Sequence, residues 1–407
     1  MRLVFLILTM LFSTSCIFPG YAGAETVAGQ APRDTGPVVS AQAAVVMDVK
    51  TGQVLYAKEP SKRMYPASTT KILTALVVLQ NARLDDRIKA TGKVVNTEGS
   101  AIWLKEGEEL AVSDALYALL LNSANDVAVA LAEKVGGSEE GFVEMMNRTA
   151  KACGATDSHF NNPHGLPDEN HYTTALDLAR ITRVAMGNRL FKEMVATKTK
   201  NIERQAPDGL TLLINHNKLL WRYEGAIGVK TGYTTQAGQC LVSAARRGDR
   251  EIIAVTLGSG MSIWDEAAAL LDYGFSAYRL VELVKAGDVI GTFPVMKGVA
   301  TVRGKTARSL WQNLPAGDDP VELPRWRLEL RPVEAPVNQG DCLGTLIVAG
   351  EQGEIGRVSV VAGNSVAKRS VWPVVYRGIL AAVGMLIVLK LLTVWVNRRR
   401  TRSYRRF

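Results

Sequence analysis

The spacing of apolar residues changes twice along this chain. Strand-like runs at 43–49 and 53–58 flank Lys50-Thr51-Gly52, a pattern that predicts a hairpin with glycine at its turn. A series of helices is then predicted, at 72–79, 115–121, 126–132, 142–153 and 175–186. Strand-like runs return at 239–245 and 251–257, before an alanine- and leucine-rich helix at 263–277. We therefore predict a domain of mixed helices and strands at 41–279, after a loose linker at 25–40.

Residues 280–370 have a different texture. Short strand-like pieces separated by Gly, Pro and Asp occur there, at 299–302, 326–330, 344–348 and 358–361. This pattern is typical of a small all-β domain. The segment contains no catalytic constellation, and we interpret it as a spacer or interaction domain.

The chain carries an apolar segment near each end. Residues 3–12 follow Arg2 and precede Ala22-Gly23-Ala24, a pattern that predicts a cleaved signal peptide at 1–24. Ser13 stands where lipoprotein processing prefers an aliphatic residue, which argues against lipidation of Cys16. The run at 378–396 is interrupted only by Lys390, and at about 1.5 Å per residue it can cross a hydrocarbon layer of roughly 30 Å. We predict a transmembrane helix at 376–396; a helix lying in the membrane interface is the alternative.

The formal net charge of +9 is concentrated at the C-terminus. Six arginines occupy the last ten residues, within a basic tail at 397–407, and Arg2 belongs to the signal, so 9 − 6 − 1 leaves +2 for the rest. No nucleic-acid partner is therefore expected. Positive charge marks the cytoplasmic flank of a membrane helix. The prediction is a single-pass protein of the cell membrane, with the residues from about 25 to 370 on the extracytoplasmic side.

Three cysteines remain after the predicted signal, namely Cys153, Cys240 and Cys342. An odd number in a secreted chain argues against a disulfide framework, and isolated thiols are expected. One bridge between two of them stays open as an alternative.

Candidate chemistry begins at Pro66-Ala67-Ser68-Thr69-Thr70-Lys71. This stretch is expected to lead into the first helix, where residues three apart share a face. Ser68 and Lys71 would then place a hydroxyl beside an amine in apolar surroundings, which lower the pKa of a lysine until it accepts a proton. Alone the motif is weak evidence, because a serine at a helix N-terminus followed by a solvent-exposed lysine would have the same sequence.

Two further motifs follow in the chain. The apolar pattern breaks at Asn122-Ser123-Ala124-Asn125, a short corner between helices that either caps them or projects the side chains of Ser123 and Asn125 into a cleft. Lys230-Thr231-Gly232 ends or lies within a strand, where Lys230 is suited to holding an anionic group. Together with Ser68 and Lys71, these are the Ser-x-x-Lys, Ser-x-Asn and Lys-Thr-Gly set of class A β-lactamases and penicillin-binding proteins.

The loop at 159–172 contains three histidines and Asp168. Their spacings do not match a paired helical ligand arrangement, and the loop is rich in turn formers. No metal and no other cofactor is expected.

Four stretches around these motifs resemble the low-molecular-mass penicillin-binding proteins that are D-alanyl-D-alanine carboxypeptidases, namely Asp48–Tyr56, Pro66–Lys71, Asn162–Leu166 and Gly228–Thr234. The resemblance runs from about residue 40 to the C-terminal anchor. It implies an α/β (α+β) serine β-lactamase/transpeptidase-like domain whose antiparallel sheet is covered by helices, followed by the all-β domain and the transmembrane helix. Family members often have a more amphipathic anchor than the apolar run found here.

The resemblance also implies an acyl-transfer mechanism on peptidoglycan stem peptides that end in D-Ala-D-Ala, and acylation by β-lactam antibiotics. It implies that Ser68 is the nucleophile and Lys71 its base, and that Ser123 and Lys230 pass the proton to the leaving amine. The remaining roles it implies are substrate binding by Asn125, Lys230, Thr231, Gly232 and Tyr233, with the backbone N–H groups of Ser68 and Tyr233 as the oxyanion hole.

Three alternatives use the same residues. A D,D-endopeptidase would cleave cross-links instead of free stems, and the sequence does not separate it from a carboxypeptidase. A β-lactamase needs a carboxylate to activate the deacylating water, and no Glu-x-x-Leu-Asn pattern lies between Asn125 and Lys230. A non-catalytic penicillin-binding scaffold would not need every reactive side chain.

Overall fold

A computed structural model describes residues 36–403 except 207, 261, 318–323 and 351–352, with side chains up to 397. The predicted signal peptide at 1–24, Cys16, most of the linker and the last four residues lie outside the described residues. The helices are α1 Lys71–Asn81, α2 Gly92–Val95, α3 Val112–Leu121, α4 Asn125–Gly136, α5 Glu139–Ala152, α6 Ala175–Met186, α7 Arg189–Ala196, α8 Leu219–Arg222, α9 Ile263–Ser276 and α10 Trp372–Ser403.

The strands are β1 Ala43–Asp48, β2 Val54–Lys58, β3 Arg87–Lys89, β4 Glu109–Ala111, β5 Thr199–Asn201, β6 Leu212–Ile214, β7 Ala226–Thr234, β8 Gly238–Arg247, β9 Arg250–Ser259, β10 Tyr278–Val284, β11 Val289–Phe293, β12 Val302–Thr306, β13 Leu310–Pro315, β14 Arg325–Leu330, β15 Cys342–Gly350 and β16 Gly353–Ala362. The chain divides into two compact units. The first runs to Val281 and also takes in Trp311 and the rest of β13, and the second begins at Glu282. The boundary at residue 279 stays a prediction.

The first unit is built on a five-stranded antiparallel sheet in the order β2-β1-β9-β8-β7. The sequence places its strands at both ends of the unit, and the sheet joins them because β1 pairs with β9, Val45 opposite Val255. The predicted hairpin is present, with Gly52 at φ +74° in its turn. Strand β7 lies at the edge, so one of its sides is not paired with another strand among the described residues. The antiparallel sheet expected from the sequence is confirmed.

The helices between the strands form the buried centre of this unit. Every residue of α1 from Lys71 to Val78 is buried, and α3 and α4 bury most of their apolar residues in the same cluster. Burial of a Leu, Ile or Val side chain stabilises a fold by about 1.5–3 kcal/mol, so this cluster is a main source of stability. Helix α1 thus begins with a lysine inside an apolar core.

The second unit contains a sheet in the order β11-β12-β16-β15-β14, in which β11 pairs antiparallel with β12, β12 with β16, and β14 with β15. It therefore contains the all-β region expected from the sequence. The C-terminal segment forms one helix, α10, and the most apolar 18-residue window of Trp372–Asn397 has a mean hydropathy of 2.5. Within the described residues, this is the one helix long and apolar enough to cross a membrane.

Candidate active site

Ser68 lies in a 3₁₀ turn, Ala67–Thr70, that leads directly into α1. The turn is tight, and Ala67 has a φ of +48°, a conformation that costs a non-glycine residue about 1–3 kcal/mol. Two threonine hydroxyls hold it, because Thr69 donates to the carbonyl of Pro66 at 2.6 Å and Thr70 donates to that of Ala67 at 2.9 Å. Ser68 is half-buried and faces the side chain of Lys71, as the three-residue spacing predicted.

The amine of Lys71 has three partners. Its Nζ lies 3.0 Å from Ser68 Oγ, 2.7 Å from Asn125 Oδ1 and 2.7 Å from the carbonyl oxygen of His164. The side chain is completely buried. Burial holds its pKa well below the usual value, and the charge of Lys230 lowers it further, while Asp126 acts in the opposite direction. Lys71 is thus an amine in contact with the serine hydroxyl and disposed to be neutral.

The corner between α3 and α4 contributes Ser123 and Asn125. Ser123 has a φ of +63°, which a residue with a side chain rarely adopts, and its Oγ is buried with no hydrogen-bond partner among the described residues. A buried polar atom without a partner costs about 1–3 kcal/mol, and strain of this kind is concentrated at functional sites. Asn125 Oδ1 accepts from Lys71, and its Nδ2 donates to the carbonyl of Glu98 at 2.7 Å.

A loop that the motifs did not reveal holds this corner. The backbone N–H of Asn125 donates to Ser100 O at 2.6 Å, and the buried carboxylate of Asp126 accepts from the N–H groups of Ile102 and Leu104. Burial raises the pKa of Asp126, while these hydrogen bonds oppose the rise. The residue after Asn125 is acidic in the sequence, but its partners are backbone groups, which carry no sequence signal.

Strand β7 carries the Lys-Thr-Gly motif along the edge of the sheet. Lys230 is 1% exposed, its Nζ donates to the carbonyl of Thr231 at 3.0 Å, and burial lowers its pKa to about 7. Gly232 packs against the serine turn, because a Cβ at this position would lie 2.9 Å from the backbone nitrogen of Ser68. The side chain of Tyr233 is 64% exposed. The strand thus runs beside the Ser68 turn, and the charge of Lys230 acts on Lys71.

The loop at 159–172 closes the site from another side. His164 supplies its carbonyl oxygen to Lys71, and burial lowers the pKa of its imidazole to about 3, so the ring is neutral. Gly165 has a φ of +91°, and a Cβ there would collide with the carbonyl oxygen of Ala67. The sequence drew attention to this loop through its histidines. Its contribution to the site is instead a backbone carbonyl and a glycine.

The structure therefore joins Ser68, Lys71 and Asn125 by direct hydrogen bonds and brings Gly232 against the backbone of Ser68. Lys230 reaches the group through its charge, and the Oγ of Ser123 makes no hydrogen bond to the other members.

A family model described as D-alanyl-D-alanine carboxypeptidase, peptidase S11, matches residues 29–260. D-alanyl-D-alanine carboxypeptidase DacF of Bacillus subtilis is 32% identical over 338 residues, which cover 81% of this chain and 86% of that protein. Penicillin binding protein 5 from Haemophilus influenzae, a solved structure, superposes with a TM-score of 0.70 at 28% identity and covers 82% of this chain and 99% of its own. D-alanyl-D-alanine carboxypeptidase DacD from Francisella tularensis gives a TM-score of 0.63, also at 28% identity, over 86% of this chain and all of its own.

Proposed function

The chain belongs to the D-alanyl-D-alanine carboxypeptidases of the peptidase S11 family and is a serine-type hydrolase, and we propose that Ser68 is the nucleophile through which it removes the terminal D-alanine of peptidoglycan stem peptides. The observation that carries this assignment is the 3.0 Å contact between Ser68 Oγ and the completely buried amine of Lys71. The relatives are named as carboxypeptidases, which does not favour the endopeptidase alternative.

In the first step, Ser68 Oγ attacks the carbonyl carbon between the two D-alanines and gives its proton to Lys71. This transfer requires a neutral amine, and burial together with the repulsion from Lys230 favours that form. The hydrogen bonds to Asn125 Oδ1 and to the carbonyl of His164 fix the direction of the amine. An amine held in this way acts as base without a histidine.

In the second step, the C–N bond breaks and the leaving amine takes up a proton. Ser123 is suited to relay it, giving its hydroxyl proton to the amine and receiving in return the proton that Lys71 took from Ser68, because its Oγ is buried and has no competing partner among the described residues. Lys230 is a second donor for this relay, and its pKa of about 7 permits both protonation states. The acyl group then remains on Ser68 until a water molecule hydrolyses the ester.

Substrate binding is assigned to the edge of β7 and to the helix corner. Lys230 and Thr231 would receive the terminal carboxylate of the peptide, because a cation and a hydroxyl together bind a carboxylate well. The N–H groups of Ser68 and Tyr233 would stabilise the oxyanion, an interaction worth about 10²–10³ in rate per donor. Gly232 lets the strand approach Ser68 closely. The side chain of Asn125 keeps one N–H and one lone pair for the substrate amide.

The test is mass spectrometry of the full chain in detergent after incubation with a pentapeptide ending in D-Ala-D-Ala, and separately with penicillin. We expect loss of one alanine from the peptide and a penicilloyl adduct on the Ser68 peptide, since the strained lactam acylates the same hydroxyl. Ser68→Ala abolishes both. Alanine release by Ser68→Ala would overturn the assignment, and rapid hydrolysis of penicillin with an intact pentapeptide would indicate a β-lactamase.

A single transmembrane pass with the catalytic unit outside the cytoplasm is the topology we assign to the chain. Helix α10 supports it, because the 26 residues of Trp372–Asn397 extend about 39 Å at 1.5 Å per residue, more than the hydrocarbon layer requires. The arginines after residue 397 would remain on the cytoplasmic side. The exposed Cys342 provides a test. A membrane-impermeant thiol reagent should label it in intact protoplasts but not label Cys342→Ser; labelling only after lysis would reverse the orientation.

A further inference from the structure

His171 is a buried histidine that the mechanism above does not use. It lies in the loop at 159–172 and is 1% exposed. Its Nε2 lies 2.9 Å from the Oγ1 of Thr70, the residue immediately before Lys71. Its Nδ1 lies 3.0 Å from the backbone nitrogen of Asn161. The imidazole therefore bridges the loop and the turn that carries the nucleophile.

These contacts determine where the imidazole proton is. The N–H of Asn161 can only donate, so Nδ1 of His171 must accept, and in the neutral ring the proton is then on Nε2. Nε2 donates to Thr70 Oγ1, which leaves the hydroxyl proton of Thr70 free to donate to Ala67 O at 2.9 Å. The hydrogen bonds run in one direction, from Asn161 through His171 and Thr70 to Ala67.

The end of this chain of hydrogen bonds is the strained residue of the serine turn. Ala67 has a φ of +48°, and its carbonyl lies so close to Gly165 that a side chain there would collide with it. The carbonyl of Ala67 and the N–H of Ser68 belong to one planar peptide unit, so the direction of the carbonyl fixes the direction of that N–H. A shift of the turn would move both the Ser68 hydroxyl and the backbone nitrogen that Gly232 approaches.

We propose that His171 is a positioning residue for the acylation step, which orients the Ser68 turn through the hydroxyl of Thr70. This inference rests on the assignment of Ser68 as the nucleophile. It differs from a purely structural role in that the bond to Thr70 matters for catalysis, whereas the bond to Asn161 only ties the loop together.

Two substitutions separate the two bonds. In His171→Gln the carboxamide nitrogen can occupy the Nε2 position and donate to Thr70. The side chain in His171→Asn is shorter, so its carboxamide oxygen can replace only Nδ1 and accept from Asn161. Misplacement of a reacting group by about 1 Å can cost about 10²-fold in rate. We expect His171→Asn to lower the first-order rate constant of acylation by penicillin at least about 10-fold, with the penicillin concentration for half-maximal acylation rate unchanged, and His171→Gln to stay within about 3-fold.

The controls exclude loss of folding as the cause. The unfolding temperature of each variant is measured in parallel, and His159→Asn, on the same loop with its Nδ1 bonded to the Asn170 carbonyl, should acylate at the unaltered rate. Thr70→Val removes the hydroxyl, so the double variant Thr70→Val with His171→Asn should be no slower than Thr70→Val alone.

Each outcome has a defined meaning. If the unaltered chain forms no adduct, the assignment of Ser68 fails and this inference with it. If the unaltered chain acylates normally, the inference alone is overturned by equal rates in His171→Gln and His171→Asn, or by rate losses of Thr70→Val and His171→Asn that multiply in the double variant.

Discussion

Lys-Thr-Gly occurs twice in the first unit, and the two copies differ in almost every physical respect. Lys50 is exposed and lies 3.3 Å from the centre of the Trp311 ring, while Thr51 bonds to Asp48 within the hairpin. Lys230 is buried on an edge strand, with a pKa lowered to about 7. The first copy makes a turn, and the second presents a desolvated amine beside the turn that carries Ser68, the proposed nucleophile. The same three-residue motif is therefore expected to take part in catalysis only where tertiary packing buries its lysine.

The largest expected effect is the difference in kcat/KM between truncation of Lys230 and truncation of Lys50. Lys230→Ala should lower kcat/KM for release of D-alanine by about 10²–10³-fold, because the substrate carboxylate loses its buried cationic partner. Lys50→Ala should leave kcat/KM within about 2-fold and cost about 0.5–1 kcal/mol of stability through the lost contact with Trp311. Steady-state kinetics on the pentapeptide measures both. Equal losses would mean that the second copy has no special role in binding.

The two glycines sharpen the same contrast. A methyl group on Gly232 would lie 2.9 Å from Ser68 N, against backbone, so Gly232→Ala should cost about 10–100-fold in kcat and about 1–3 kcal/mol of stability. Gly52 has a φ of +74°, so Gly52→Ala should cost about 1 kcal/mol of stability and leave kcat unchanged. Kinetics and urea unfolding distinguish these results. A crossed result, with kcat lost at Gly52, would contradict the division of roles.

The sequence predicted the hairpin, the helix after Ser68 and the facing of Ser68 and Lys71, because each depends on local spacing. It also drew attention to Asn125, whose contact with Lys71 spans 54 residues. It did not reveal the carbonyl of His164 or the strain at Ser123, because backbone oxygens and dihedral angles carry no residue-type signal. The loop at 98–104 was missed for the same reason. What sequence reasoning lacks here is the set of contacts between distant backbone segments.

The pH dependence of kcat/KM distinguishes the role of Lys230 from that of Lys71. The pKa of Lys230 is about 7 in the free enzyme, and kcat/KM reports the free enzyme. We expect kcat/KM for a substrate with a terminal carboxylate to fall by about tenfold per pH unit above about pH 7, as Lys230 loses its proton. Lys71 acts in the other direction, since it must be neutral to accept a proton and so contributes a fall on the acid side.

A substrate amide that lacks the terminal carboxylate is the matched control for this profile. Its kcat/KM should be low, and the part of the basic fall that comes from carboxylate binding should be missing. A basic fall that persists undiminished with the amide would place the titration of Lys230 in the proton relay and not in carboxylate binding.

The smallest expected effect concerns stability. Folding lowers the pKa of Lys230 from 10.5 to about 7, so the unfolded chain binds more protons between these values and stability rises with pH across that window. Below about pH 7 the burial penalty is present in full. Lys230→Met removes it, so this inactive variant should be more stable than the unaltered chain by about 1 kcal/mol near pH 6, with the difference shrinking towards pH 10.

Lys50→Met is the comparison, and because its lysine is exposed it should show no gain and no such pH dependence. Thermal unfolding of the full chain in detergent at the two pH values measures the difference. Lower stability of Lys230→Met near pH 6 would mean that the buried amine stabilises the fold. Contacts of the protonated amine would then outweigh the free-energy penalty of burying its charge. A gain in stability of Lys230→Met combined with loss of activity would mean that burial of Lys230 destabilises the fold. The exposed Lys50 of the first Lys-Thr-Gly copy causes no such loss of stability.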